Sequence, residues 1–130
     1  MSTREDVLHR AQSWVESAVP HDPAGWWQDQ YGCYPTTATG LVAMAWQLNR
    51  GVTIEEASRP IDKDGLAGGD VMLRDERHVA LFEGWADPDR GSYWGLELRP
   101  LLGTVRRRIR YPYENSSRHY HPRERLPGYR

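Results

Sequence analysis

Two side chains able to do acid–base chemistry stand inside apolar runs of this sequence. His78 opens His78-Val79-Ala80-Leu81-Phe82, and Glu97 interrupts Tyr93-Trp94-Gly95-Leu96-Glu97-Leu98. An imidazole can take up and return a proton near neutral pH, and a carboxylate on a neighbouring strand can orient it. Each also has a plain structural reading. A histidine heading a core strand is often simply packed. A carboxylate in an apolar strand needs a partner, which His78 or an Arg of the 106–110 run would supply. Thr36-Thr37-Ala38-Thr39-Gly40 places hydroxyls just ahead of an apolar stretch. There they serve first as helix caps, and a Thr nucleophile would need a base held against it.

The remaining candidates read as ordinary. Cys33 is the single cysteine and lies five residues before position 38, outside the predicted helix, without the thiolate stabilisation of a helix start. His21 falls in a Pro/Gly-rich loop. His119 and His121 alternate around Tyr120 and read as surface residues, because no spaced carboxylate or cysteine joins them as a metal ligand. Trp26 to Tyr34 is aromatic-rich. Its rings either cover the core under a long loop or form the wall of a ligand cleft.

The elements that must position these groups follow from periodicity. Val7, Ala11, Trp14, Val15 and Ala18 share one face of a helix over 4–18, with Thr3 and Asp6 as cap and Pro20 as stop. A second helix over 38–49 is apolar on most sides and hence buried, capped by Thr36 or Thr37 and closed by Gly51. Thr53-Ile54-Glu55-Glu56 resembles a capping box for a short helix before Pro60. The period then changes to two. Strands are predicted at 71–73, 78–83 and 93–98, and a half-exposed, edge-like strand at 105–111 in which Val105, Arg107, Ile109 and Tyr111 alternate with Arg106, Arg108 and Arg110. Helices followed by antiparallel strands make an α+β arrangement.

Composition narrows the classes. Formal net charge is −1, with no global bias toward nucleic acid or a membrane surface. Residues 1–98 carry 8 basic and 16 acidic side chains, whereas residues 99–130 carry 9 and 2. Either the basic tail packs on an acidic body or it forms a groove for an anion; alternation of the arginines on a strand favours packing. The charged start, Met1 to Asp6, lacks the apolar region of a secretory signal, and no apolar run approaches membrane-spanning length. The expected location is cytoplasmic, or outside by a route that leaves no N-terminal signal. One cysteine excludes an internal disulfide and a cysteine-based zinc site, and no cofactor or metal is expected.

Thr37-Ala38-Thr39-Gly40-Leu41-Val42, Gly68-Gly69-Asp70-Val71 and His78-Val79 occur in the order of three motifs of NlpC-type cysteine peptidases, within the papain-like superfamily. Those motifs are Asp-Cys-Ser-Gly-apolar-Val at the start of a buried helix, Pro-Gly-Asp-aliphatic, and His-Val opening a strand. The first is matched only at its Gly and apolar positions. Arg10 to Val15 ahead of Val19-Pro20, and Tyr111-Pro112-Tyr113, resemble actinobacterial members. The resemblance covers nearly the whole chain. It implies one papain-like α+β domain over 1–130, N-terminal helices on an antiparallel sheet, and 112–130 as an irregular tail packed on it. It further implies a triad with Ala38 in the nucleophile position, His78 as base and Glu97 as the third member. Around the substrate it implies His21 (where relatives often have Tyr), Asp22, Trp26, Tyr34, Thr37 and Thr39. The implied substrate is a peptide or small amide of cell-wall type, with D-amino acids or a γ-glutamyl link, without nucleic acid, membrane or a specified protein partner.

The physical chemistry of such a layout is coherent. A helix start lowers a thiol's pKa and its free N–H groups can hold an oxyanion. An alanine methyl cannot attack a carbonyl, so acyl transfer through position 38 is excluded for the sequence as it stands. Three explanations compete: an engineered Cys→Ala change that silences a hydrolase, a natural pseudoenzyme or ligand-binding module, and a pocket repurposed for thiol-free chemistry by His78, Glu97 and His21. The intact helix favours the first and the Thr37 and Thr39 departures favour the second.

Overall fold

The computed structural model describes residues 2–114 and 119–128. It is an α+β fold. Helices α1 (Arg4–Glu16) and α2 (Ala38–Trp46) flank a two-stranded hairpin, β1 (Asp22–Asp29) and β2 (Gly32–Thr36). Then follow β3 (Ser58–Pro60), β4 (Val71–Asp75), β5 (His78–Trp85), β6 (Ser92–Arg99), β7 (Gly103–Arg110) and β8 (His121–Arg125). These six form one antiparallel sheet in the order β3-β8-β4-β5-β6-β7.

The capping box at Thr3 and Asp6 is present, and Val7, Ala11 and Trp14 form the buried stripe of α1. The helix stops two residues earlier than its apolar period suggests. Ala18 adopts a left-handed conformation (φ 50°), and the Ala18 and Val19 N–H groups donate to the Val15 and Trp14 carbonyls. This paired arrangement satisfies the last carbonyls of the helix. α2 ends the same way, at Gln47 (φ 56°) rather than at Gly51. The Gln47 amide makes this tolerable, because Nε2 donates to the carbonyls of Met44 (2.7 Å) and Tyr31 (2.9 Å), tying the helix end to the hairpin turn.

Three further expectations are corrected. Residues 22–36, read as loop and aromatic cover, form the β1–β2 hairpin. Thr53 and Glu56 do make a reciprocal capping box, but it closes a single turn and no helix follows. Instead the Glu76 carboxylate accepts the Ile54 and Glu55 N–H groups. The tail is not irregular throughout: His121–Arg125 is a strand inserted between β3 and β4, while 115–118 and 129–130 lie outside the described residues. β7 is at the sheet edge, as its alternation predicts. Strands β4, β5 and β6 each run two residues longer than predicted.

The sheet has a core on each face. On one, Val71, Leu73, Val79, Leu81, Leu96 and Leu98 pack with α1 and α2, including the fully buried Trp14 and Trp46. On the other, Met72, Ala80, Phe82, Tyr93 and Ile109 pack with Tyr113 and Tyr120 from the C-terminal segment. Because strand side chains alternate, this division decides the direction of every polar group on β5 and β6. Gly40 lets α2 lie directly on β2: a methyl there would overlap the Pro35 carbonyl oxygen. Trp46 Nε1 donates to the Gly69 carbonyl, and Gly69 N–H donates to Phe82, which fixes the C-terminal end of α2 against β5. Among the described residues no helix is long and apolar enough to cross a membrane.

Candidate functional site

His78 and Glu97 come together on the sheet face away from the helices. Val79 and Leu81 face α2, so the period of two turns His78 and Ala80 the other way; Leu96 and Leu98 do the same for Glu97. His78 Nε2 lies 3.9 Å from Glu97 Oε2, beyond hydrogen-bond range. The other ring nitrogen, Nδ1, lies 2.7 Å from the Tyr120 hydroxyl. Tyr113 stacks on Tyr120 with ring centroids 4.3 Å apart, and its own hydroxyl donates to both oxygens of Glu97 at 3.0 and 2.9 Å.

Glu97 is fully buried and gains its compensation from arginines. Arg107 Nε donates to Oε1 at 2.9 Å, and Arg99 Nε lies 3.2 Å from the same oxygen. Arg107 also donates to the Tyr113 hydroxyl at 3.0 Å. The residue that sequence alternation put on the inner side of β7 is thus the one that pairs with the buried carboxylate.

The surroundings shift the titrating rings of this cluster in definite directions. Burial holds the His78 pKa below its ordinary value; Glu97 opposes that shift, and Arg74, Arg99 and Arg107 reinforce it. Burial and the neighbouring Glu97 charge push Tyr113 up to about 12, and burial raises Tyr120. The Tyr120 hydroxyl and Nδ1 share one hydrogen bond, so this ring nitrogen has a partner inside the protein while Nε2 faces Glu97. A nucleophile–histidine–carboxylate relay presents one ring nitrogen to the acid and the other to the attacking group. Here that second nitrogen is bonded to Tyr120.

Ala38 belongs to the other core. It is the first residue of α2, buried among the helix-side apolar residues. The helix start is well formed. Thr37 is its N-cap, its hydroxyl accepting the Gly40 N–H at 3.1 Å, with the Thr39 hydroxyl 3.5 Å away.

Beside the first half of α2 lies a cleft of about 390 Å³. It is lined by Trp26, Cys33 and Tyr34 of the hairpin, by Thr39 and Ala43 of α2, by Arg50, Val52 and Ile54 beyond the helix, and by Glu76 of the β4–β5 turn. Of the expected substrate-binding set, Trp26, Tyr34 and Thr39 line this cleft. His21 and Asp22 do not: Asp22 Oδ1 accepts the Ala24 N–H and its carbonyl accepts the Thr36 hydroxyl, so it shapes the start of β1. Cys33 is an exposed thiol on the rim.

Sequence reasoning missed Tyr113, Tyr120 and Arg50. Tyr120 drew no notice between two exposed histidines, although it is the buried member of that triplet. Among the described residues no three His, Cys, Asp or Glu side chains gather as metal ligands. Compared with known proteins, the chain matches no protein-family model and no curated protein at significant similarity.

Proposed function

We propose that the chain is a binding module on an NlpC-like, papain-type scaffold, one that holds a peptide or small amide without cleaving it through position 38. One observation carries this reading: Ala38 is buried in the helix-side core, whereas His78 lies on the opposite face of the sheet with Nδ1 2.7 Å from the Tyr120 hydroxyl. The loss is therefore wider than one side chain. Position 38 lacks a nucleophile and the imidazole has an internal partner, yet the cleft beside α2 keeps its aromatic wall and its hydroxyl. A cleft of this size, mainly apolar with a few directed polar groups, suits a small ligand.

The competing reading is a hydrolase silenced by an engineered Cys→Ala change, supported by the intact, capped start of α2. Isothermal titration of the protein with short cell-wall-type peptides and small amides, run beside turnover assays of the protein, of Ala38→Cys and of Ala38→Cys/His78→Ala, separates them. Binding without turnover in every form is the expected result. Hydrolysis by Ala38→Cys that disappears with His78→Ala establishes the silenced hydrolase instead. Turnover by the protein with alanine at 38 establishes a repurposed enzyme.

A further inference from the structure

Resting on the binding reading of that cleft, we propose that its ligand carries a free carboxylate and that Arg50 receives it. Arg50 follows α2 in the turn before Val52, and its guanidinium carbon lies 4.9 Å from the centroid of the Trp26 ring. It makes no ion pair and no hydrogen bond among the described residues, in contrast to the arginines of the sheet. Arg106 pairs with Glu83, Arg107 and Arg99 with Glu97, and Arg108 with Asp87. Glu76, the carboxylate that lines the cleft, makes no ion pair with Arg50; its two oxygens accept the Ile54 and Glu55 N–H groups at 3.0 and 3.2 Å. The guanidinium is therefore a cleft-lining cation without an ion-pair partner among the described residues, in a part of the chain that is otherwise acidic.

Stacking on an indole face leaves the edge of a guanidinium free and limits its side-chain freedom, so less entropy is lost when it binds. That edge offers parallel N–H donors matched to two carboxylate oxygens. Leu48, Val52 and Ile54 add apolar surface to the same cleft. The combination fits an acylated short peptide with its carboxylate at Arg50 and a side chain against the apolar lining.

The test compares N-acetyl dipeptide acids with their carboxamides, using alanine, phenylalanine and glutamate side chains in L and D forms. Binding is read by titration calorimetry and by tryptophan fluorescence. At least one acid binds tenfold or more tightly than its amide. Arg50→Gln lowers the acid to the affinity of the amide, leaves the amide unchanged, and keeps the melting temperature of the parent, since Arg50 is exposed. Arg50→Lys falls between, because an ammonium keeps charge without the planar fork. Equal affinity for acids and amides ends the carboxylate proposal and leaves the cleft reading standing. So does a loss in Arg50→Gln that affects both alike. Failure of every acid and amide to bind the parent protein overturns the cleft reading, and the proposal falls with it.

Discussion

The hydroxyl of Tyr120 lies 2.7 Å from Nδ1 of His78, joining a residue just ahead of the last strand to the first residue of a central one. This bond holds the C-terminal segment on the sheet and occupies one nitrogen of the imidazole. Removing it leaves a ring nitrogen without its partner in a mostly buried site. Tyr120→Phe keeps the stack on Tyr113 and is expected to cost about 1–3 kcal/mol, read as a lower urea midpoint at unchanged slope. A variant as stable as the parent shows that the bond contributes nothing net.

Glu97 poses the sharper electrostatic question. Its carboxylate sits between Arg107, Arg99 and the Tyr113 hydroxyl with no exposure to solvent. Glu97→Gln preserves the shape and removes the charge, leaving Arg107 with Glu114, at 3.3 Å, as its one anionic neighbour among the described residues. Breaking one side of a buried pair costs about 3–5 kcal/mol, discounted here because Arg107 is partly exposed. A loss of at least about 2 kcal/mol is expected by equilibrium unfolding. A double-mutant cycle with Arg107→Met isolates the pair, and a coupling near zero would contradict the assignment.

The pH dependence has a definite sign. Burial favours neutral His78, so its folded pKa lies below the unfolded value near 6.5. The unfolded chain then binds the proton more readily. Stability is complete above pH 6.5 and declines as pH falls through the folded pKa. Asp70 acts in the opposite sense: burial raises its pKa despite the Arg4 contact, so its protonation favours the fold as pH falls toward its ordinary range near 3.8. Chemical denaturation from pH 8 to 5 should show the decline, and His78→Gln should flatten it. A parent whose stability is constant between pH 7 and 5 contradicts the account.

Gly40 is the most constrained position at the start of α2. A side chain there meets the Pro35 backbone, which cannot rotate aside as a side-chain tip can. Gly40→Ala gains helix propensity but separates helix and hairpin. Overpacking of this kind costs about 1–3 kcal/mol or more. The expected outcome is a net loss of at least about 2 kcal/mol together with altered Trp26 fluorescence at the cleft. A stabilised variant would mean that the helix and β2 approach less closely.

Local signals were readable where local physics decides them. Thr3 with Asp6, Thr37 before α2, and the alternation that turned Arg107 inward all follow from spacing of a few residues. The hairpin left little trace because Trp26 and Trp27 are adjacent rather than alternating, and its early residues Asp22, Pro23 and Gly25 are those of a loop. β8 was hidden by Pro122, a residue that argues against an interior strand. Here it pairs with Met72, and its carbonyl accepts Ile61 N–H. Both helix ends were misread for one reason: Ala18 and Gln47 take the left-handed position usually given to glycine. The candidate site was half legible. The motif order brought His78 and Glu97 forward, but their facing depends on which core each strand side chain joins. The Tyr120 contact spans 42 residues.

The placement of β8 has a consequence for synthesis. Ser58 pairs with Arg125, and Val71 with Arg123, so the two edges that β8 joins are made long before the strand that joins them. Until then the growing chain presents β4 with one side unpaired, an invitation to intermolecular pairing. The helices, the hairpin and the cleft can organise earlier, while the imidazole waits for Tyr120. Completion of the sheet and closure of the polar cluster thus both depend on residues 120–125.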